Sequence, residues 1–196
     1  MNNGFLSQNA HKLSGNPGGI NQLTPNVKLL QKAVLWHQGE ILILRRAGGK
    51  AGGARAFKWD LPGGNSEWPT QTEANISNPH LIDISREIQE ESGIDIISVI
   101  GPQKWSEMRQ RQSSTDNSEQ DPLKNCLVSS FFEKKKQVYS IILGWSFILP
   151  DDFDRSKVQL SFEHTEIAWI KPENFEDYDF GFAGNTDGFI RQMVFR

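Results

Sequence analysis

Three carboxylates and one guanidinium crowd a single short stretch, Arg86-Glu87-Ile88-Gln89-Glu90-Glu91-Ser92-Gly93-Ile94. On a helix, Glu87 and Glu91 stand four residues apart and Glu87 and Glu90 three apart. All three side chains then leave neighbouring positions of one face, while Ile84 and Ile88 point to the other. Like charges so placed repel, at a cost of about a few tenths of a kcal/mol per pair in an isolated helix. A divalent cation reverses that cost. Hard ions such as Mg²⁺ take carboxylate oxygens and complete their shell with water and substrate phosphate. Against this stands the plainer reading of a glutamate-rich stretch as a solvated helix face.

The elements that must hold these groups are legible on either side. Asn78 is a good N-cap and Pro79 suits the first helical position. Leu81, Ile84 and Ile88 recur at helical spacing as a buried stripe, and Gly93 fits the stop. Upstream, residues 32–36 and 41–45 read as strands flanking a hairpin turn over 37–40. Residues 47–56, rich in glycine, read as a flexible loop. It is not a phosphate-cradling P-loop, because Lys50 is followed by Ala51. Residues 59–64 read as an extended piece ending in a glycine turn, where Gly64 lets the backbone turn tightly and approach a metal held by the helix. Residues 94–100 read as a strand. Residues 126–132 and 138–148 read as an antiparallel pair, and 166–170 as a further strand. Residues 171–175 open a helix, and 189–196 finish as a short amphipathic one.

The 196-residue chain suffices for one domain with a full core. The expected organisation is a flexible arm over residues 1–26 and one domain over 27–196, interrupted by surface loops at 65–77 and 106–124. Net charge is −3, so the basic excess that grips long nucleic acid is missing. Cys126 is the single cysteine, which excludes an internal disulfide. The first residues lack the apolar core of a signal peptide, and the longest apolar run, 139–149, is too short to span a bilayer. The expectation is a cytoplasmic protein with no membrane partner.

Gly64 followed by the string from Arg86 to Ile94 resembles the Nudix box. That box reads Gly, five residues, Glu, seven residues, then Arg-Glu-aliphatic-any-Glu-Glu-any-Gly-aliphatic. The second half matches at every fixed position. Residues 43–47, Asp60-Leu61-Pro62-Gly63-Gly64 and residues 161–170 are similar to other parts of the family pattern, so the likeness covers roughly 32–175. The resemblance implies an α+β fold, a Nudix-type α/β/α sandwich around a mixed β-sheet. It implies metal-dependent hydrolysis of the diphosphate linkage in a nucleotide or nucleoside diphosphate derivative. Glu87, Glu90 and Glu91 would hold Mg²⁺ or Mn²⁺, and Arg86 would orient them. Glu87 or Glu163 would take a proton. Arg46, Gly63 and Gly64 would face the substrate. The partner would be a small nucleotide-like molecule, and a homodimer is a candidate assembly.

The first half of the box departs from the pattern. Asn78 stands where the family has a glutamate, and eight inserted residues separate Gly64 from Arg86. Glu67 or Glu73 in the insertion are candidate substitutes. The departure favours a rival reading, a Nudix-fold domain that binds nucleotides or regulates but cleaves weakly. The intact Arg86-Glu87 and Glu90-Glu91 pairs oppose it. A metal-binding interaction domain unrelated to nucleotides is a third reading. Asp83 and His164 can extend the site or be ordinary polar residues. Arg46 can equally form an ion pair, and Phe57, Trp68 and Trp105 can stack on a base or simply pack.

Overall fold

The hairpin is the centre of a mixed six-stranded sheet. In the computed structural model, which describes residues 26–66, 79–110, 126–134, 137–181 and 185–195, strand β1 (Asn26–His37) turns at Gln38 and Gly39 into β2 (Glu40–Arg46). Both turn residues have positive φ, 52° and 79°, as a tight hairpin with the native strand twist requires. β1 also lies parallel to β5 (Val138–Ile148), in register from Asn26 opposite Val138 to Trp36 opposite Ile148. β4 (Cys126–Glu133) runs antiparallel beside β5. On the other side, β3 (Trp59–Asp60) and β6 (His164–Ile170) both pair antiparallel with β2.

Alternation along β1 and β2 divides the core in two. Ala33, Leu35, Leu42 and Leu44 face one way and join Trp145 and Phe147 beneath α2 (Pro79–Ser92). The stripe Leu81, Ile84 and Ile88 is wholly buried there, as its helical spacing predicts. Val34, Ile41, Ile43 and Ile142 face the other way, against Phe189, Ile190, Met193 and Val194 of the last helix, α5 (Asn185–Val194). Helices cover both faces of a mixed sheet, which is the expected α/β/α sandwich.

Several local expectations are corrected. Residues 94–100 are not a strand: Ile96–Ile100 form a short helix, α3. Asp95 caps it by accepting from the Ser98 backbone N–H at 3.2 Å, and only Ile96 of the five is fully buried. The surface loop at 106–124 starts as helix, since Ser106 lies within α4 (Pro102–Gln110); residues 111–124 fall outside the described residues. The 47–56 loop contains a single α turn, α1 (Gly49–Gly52), and a 3-10 turn (Gly53–Arg55). β6 begins two residues before the expected 166, the segment after it is a 3-10 turn (Pro172–Asp177), and α5 begins earlier than 189. Asn26 heads β1; the rest of the expected arm, Asn78, Trp68, Glu67 and Glu73 lie outside the described residues.

Candidate active site

The carboxylates of α2 meet the glycine turn that follows β3. Pro62 and Gly64 carbonyls accept the backbone N–H groups of Ala33 and Gln31 at 2.8 and 2.9 Å, which ties the turn to β1. The Gly63 N–H then donates to Glu91 Oε2 at 2.8 Å. Gly64 lies against the neighbouring acid: a Cβ there would stand 2.6 Å from Glu87 Oε2. Glu91 is thus held by the turn through Gly63, and Glu87, one helical turn earlier, lies against Gly64.

Arg86 lies among the acids on the helix surface. Its Nη2 donates to Glu87 Oε1 at 2.7 Å and to Asp83 Oδ1 at 2.6 Å, and its Nη1 to Glu90 Oε2 at 2.7 Å. Burial alone would lower its pKa, but Asp83, Glu90 and Glu87 outweigh that and hold it fully charged. The three glutamates differ in environment. The Glu90 side chain is 58% exposed and that of Glu91 10%. Burial pushes Glu91 up to about 7, with the nearby Asp60 and Glu87 charges adding to the rise and Lys32 and the Gly63 N–H opposing it. Burial also raises Glu87; Arg86 opposes that rise, and Asp83 and Glu90 reinforce it.

Behind Glu91 lies a polar cluster in which the sequence singled out Arg46 and His164 but not Lys32, Arg55 or the Asp60 carboxylate as its centre. Lys32 Nζ donates to the carbonyls of Leu61 (3.0 Å) and Gly63 (2.7 Å) and pairs with Asp60 Oδ1 at 2.9 Å. Asp60 also takes Arg55 at 2.5 Å and Arg46 at 3.3 Å. Arg46 therefore makes the ion pair that was the alternative to phosphate contact. His164 is buried with Nε2 3.9 Å from Glu91 Oε1, and burial, with Arg46 and Lys32 nearby, pushes it down to about 4, so the ring is neutral. Glu163, half-buried beside it, accepts the Ala47 N–H through its carbonyl at 2.7 Å, which pins the 161–164 loop to the end of β2. The one signal for Lys32 was a cation at the head of an otherwise apolar run.

Trp105 packs in the α2-side core, whereas Phe57 is exposed. A cleft of about 520 Å³ opens on the α5 side of the sheet, lined by Trp36, Leu127, Met193 and the Gln38–Gly39 turn. It is on the opposite face from α2 and is not part of this site.

The donor set on α2 is all oxygen, negatively charged and crowded, which is the chemistry of a hard divalent cation. Among the described residues these side chains do not close into a group of three or more ligands round one point. An ion held there would draw its remaining oxygens from water and substrate. The donors fit Mg²⁺ or Mn²⁺.

No protein-family model and no curated protein matches the chain. Solved structures do resemble it. The MutT protein from Methanosarcina mazei Go1 is 21% identical, with a TM-score of 0.48 over 89% of this chain and 94% of that one. A MutT Nudix hydrolase from Burkholderia pseudomallei is 15% identical, with a TM-score of 0.48 over 86% and 98%. An Ap4A hydrolase from C. elegans gives 15%, 0.48, 85% and 92%. The chain is similar to Nudix hydrolases. At these identities and scores the likeness is one of general arrangement, and the roles of side chains rest on the contacts described above. No described helix is long and apolar enough to cross a membrane.

Proposed function

We propose that this chain is a Nudix-type hydrolase that uses Mg²⁺ or Mn²⁺ to cleave the diphosphate linkage of a small nucleotide or nucleoside diphosphate derivative. One observation carries the reading: the Gly63 N–H holds Glu91, Glu87 lies against Gly64, and Arg86 bridges Glu87 to Glu90. A surface salt-bridge network has no use for a buried glutamate gripped by a glycine N–H. Glu87, Glu90 and Glu91 would hold the ion. When bound, it supplies charge neutralisation for the phosphates and lowers the pKa of water. Arg86 orients two of the three acids through fixed-geometry donors. Gly63 fixes the third. Glu87 and Glu163 are the candidates to take a proton from the attacking water.

The test is formation of a nucleoside monophosphate and the second phosphorylated product, separated by ion-exchange chromatography, from a panel of nucleoside diphosphate derivatives, with Mg²⁺ or Mn²⁺, for the wild type and for Glu90→Gln combined with Glu91→Gln. Metal-dependent turnover on one substrate class, lost in the double variant, is expected. Nucleotide binding with no turnover on any member would sink the hydrolase reading.

A further inference from the structure

Asp83 lies one helical turn before Glu87, and unlike Glu90 it is buried. Its two oxygens face different ways. Oδ1 accepts from Arg86 at 2.6 Å, on the side of the catalytic carboxylates. Oδ2 accepts from Gln31 Nε2 at 2.8 Å and from Ser66 Oγ at 2.5 Å, on the side of the sheet and the glycine turn. Gln31 is wholly buried and fully engaged: its Nε2 also reaches Ser66 Oγ at 2.8 Å, and its Oε1 accepts Trp145 Nε1 at 2.7 Å. The result is a hydrogen-bonded line from β5 through β1 and the turn to α2, ending on the guanidinium that holds Glu87 and Glu90.

Such a line is expensive. Burying polar side chains such as Gln31 and Asp83 costs stability unless each is satisfied, and an apolar replacement of similar shape is often no worse. Packing alone therefore gives no reason for Asp83. Its position does. Arg86 is attached at one end to a flexible side chain, and its other anchors are the two acids it must orient. Among the described residues, Asp83 is the partner of Arg86 that is fixed from behind, by Gln31 of β1 and by Ser66, the residue two past Gly64. We infer that Asp83 is a positioning residue: it locks Arg86, and through it Glu87 and Glu90, in register with the Gly63–Gly64 turn, so that the carboxylates are arranged before any cation arrives. This inference rests on the metal-dependent reading above.

The experiment measures Mn²⁺ alone, by electron paramagnetic resonance titration of the full chain, with kcat and KM on the active substrate as a second readout. In Asp83→Asn, which keeps size and shape, the Mn²⁺ Kd is expected to rise about 10–100-fold, as loss of a partner behind a metal ligand does. kcat should fall with KM little changed. Ser66→Ala removes a neighbour of Asp83 but leaves the Asp83–Arg86 contact, and should keep Mn²⁺ affinity within about threefold of wild type while lowering the thermal midpoint. Should Asp83→Asn not fold, Gln31→Leu takes its place, with a smaller loss of Mn²⁺ affinity expected. Wild-type Mn²⁺ affinity in Asp83→Asn, or in Gln31→Leu where that is the variant used, overturns the inference while the hydrolase reading stands. So does a loss in Ser66→Ala as large as that in Asp83→Asn, since a common loss would reflect destabilisation. Mn²⁺ binding by the wild type without turnover removes the hydrolase reading but leaves the positioning role to be decided by the same affinities. No Mn²⁺ binding by the wild type overturns both.

Discussion

Gly63 and Gly64 are adjacent glycines with different reasons for being glycine, and the difference can be measured. Gly63 has φ of +123°, and a Cβ there would lie 2.4 Å from the Gln31 carbonyl oxygen. Neither strain can be relieved by a side-chain movement, so Gly63→Ala should cost stability, by about 1–3 kcal/mol. At Gly64 the backbone is ordinary and the obstacle is the Glu87 carboxylate at 2.6 Å. Gly64→Ala should therefore leave the urea midpoint nearly unchanged, within about 1 kcal/mol, and lower kcat by up to about 100-fold through displacement of Glu87. Equal losses of stability in the two variants would refute the distinction. The sequence assigned both glycines to the substrate. It marked the acids and the turn as partners, because both belong to one recognisable string, but it did not say which glycine serves which glutamate. That depends on how β1 docks the turn onto α2; of the residues that do the docking, Gln31 lay before the expected strand and Lys32 at its head.

At the scale of elements, legibility followed periodicity. The α2 stripe is long and regular, and each of Leu81, Ile84 and Ile88 is fully buried as its spacing required. Ile88 sits between Glu87 and the Glu90–Glu91 pair, so its packing sets the height of the acids above the sheet. Ile88→Ala is expected to cost about 2–5 kcal/mol in a urea titration, with the spread set by how far the site can collapse. A cost below that range would mean that the helix is held mainly by its polar contacts. Residues 94–100 were misread for the opposite reason. Five of these seven residues are β-branched and apolar, broken by Asp95 and Ser98, and so short an apolar stretch fits a buried strand as well as a helix. The decisive local feature was Asp95 three residues before Ser98, a cap rather than a hydrophobic pattern. The end of α4, residues 106–110, was missed because it is polar; Trp105, just before it, is the one buried residue of α4 among those with assigned burial.

Across the whole molecule, the layered arrangement was foreseeable from a hairpin, one strong helix and a later strand pair, whereas the charges that join the parts were not. Asp60 on β3 takes Lys32 from β1, Arg46 from β2 and Arg55 from the following 3-10 turn, at a site that is 1% exposed. These partners are distant or unpatterned in sequence. Burial alone would raise the Asp60 carboxyl; Lys32 and Arg55 more than offset it and hold it below its ordinary 3.8. A depressed pKa means that the unfolded chain takes up the proton first as pH falls. The stabilisation is therefore complete above pH 3.8 and is lost as pH drops through the lower, folded value. Asp60→Asn removes at every pH the charge that faces buried Lys32 and half-buried Arg46 and Arg55, at an expected cost of about 3–5 kcal/mol at neutral pH. The check is the difference in unfolding free energy between wild type and Asp60→Asn, followed from neutral to acid pH. It should stay constant down to about pH 4 and then shrink, because other carboxylates titrate in both proteins and cancel. A difference that is small at neutral pH, or that does not shrink in acid, would show that the cluster is held by its hydrogen bonds to the Leu61 and Gly63 carbonyls rather than by the Asp60 charge.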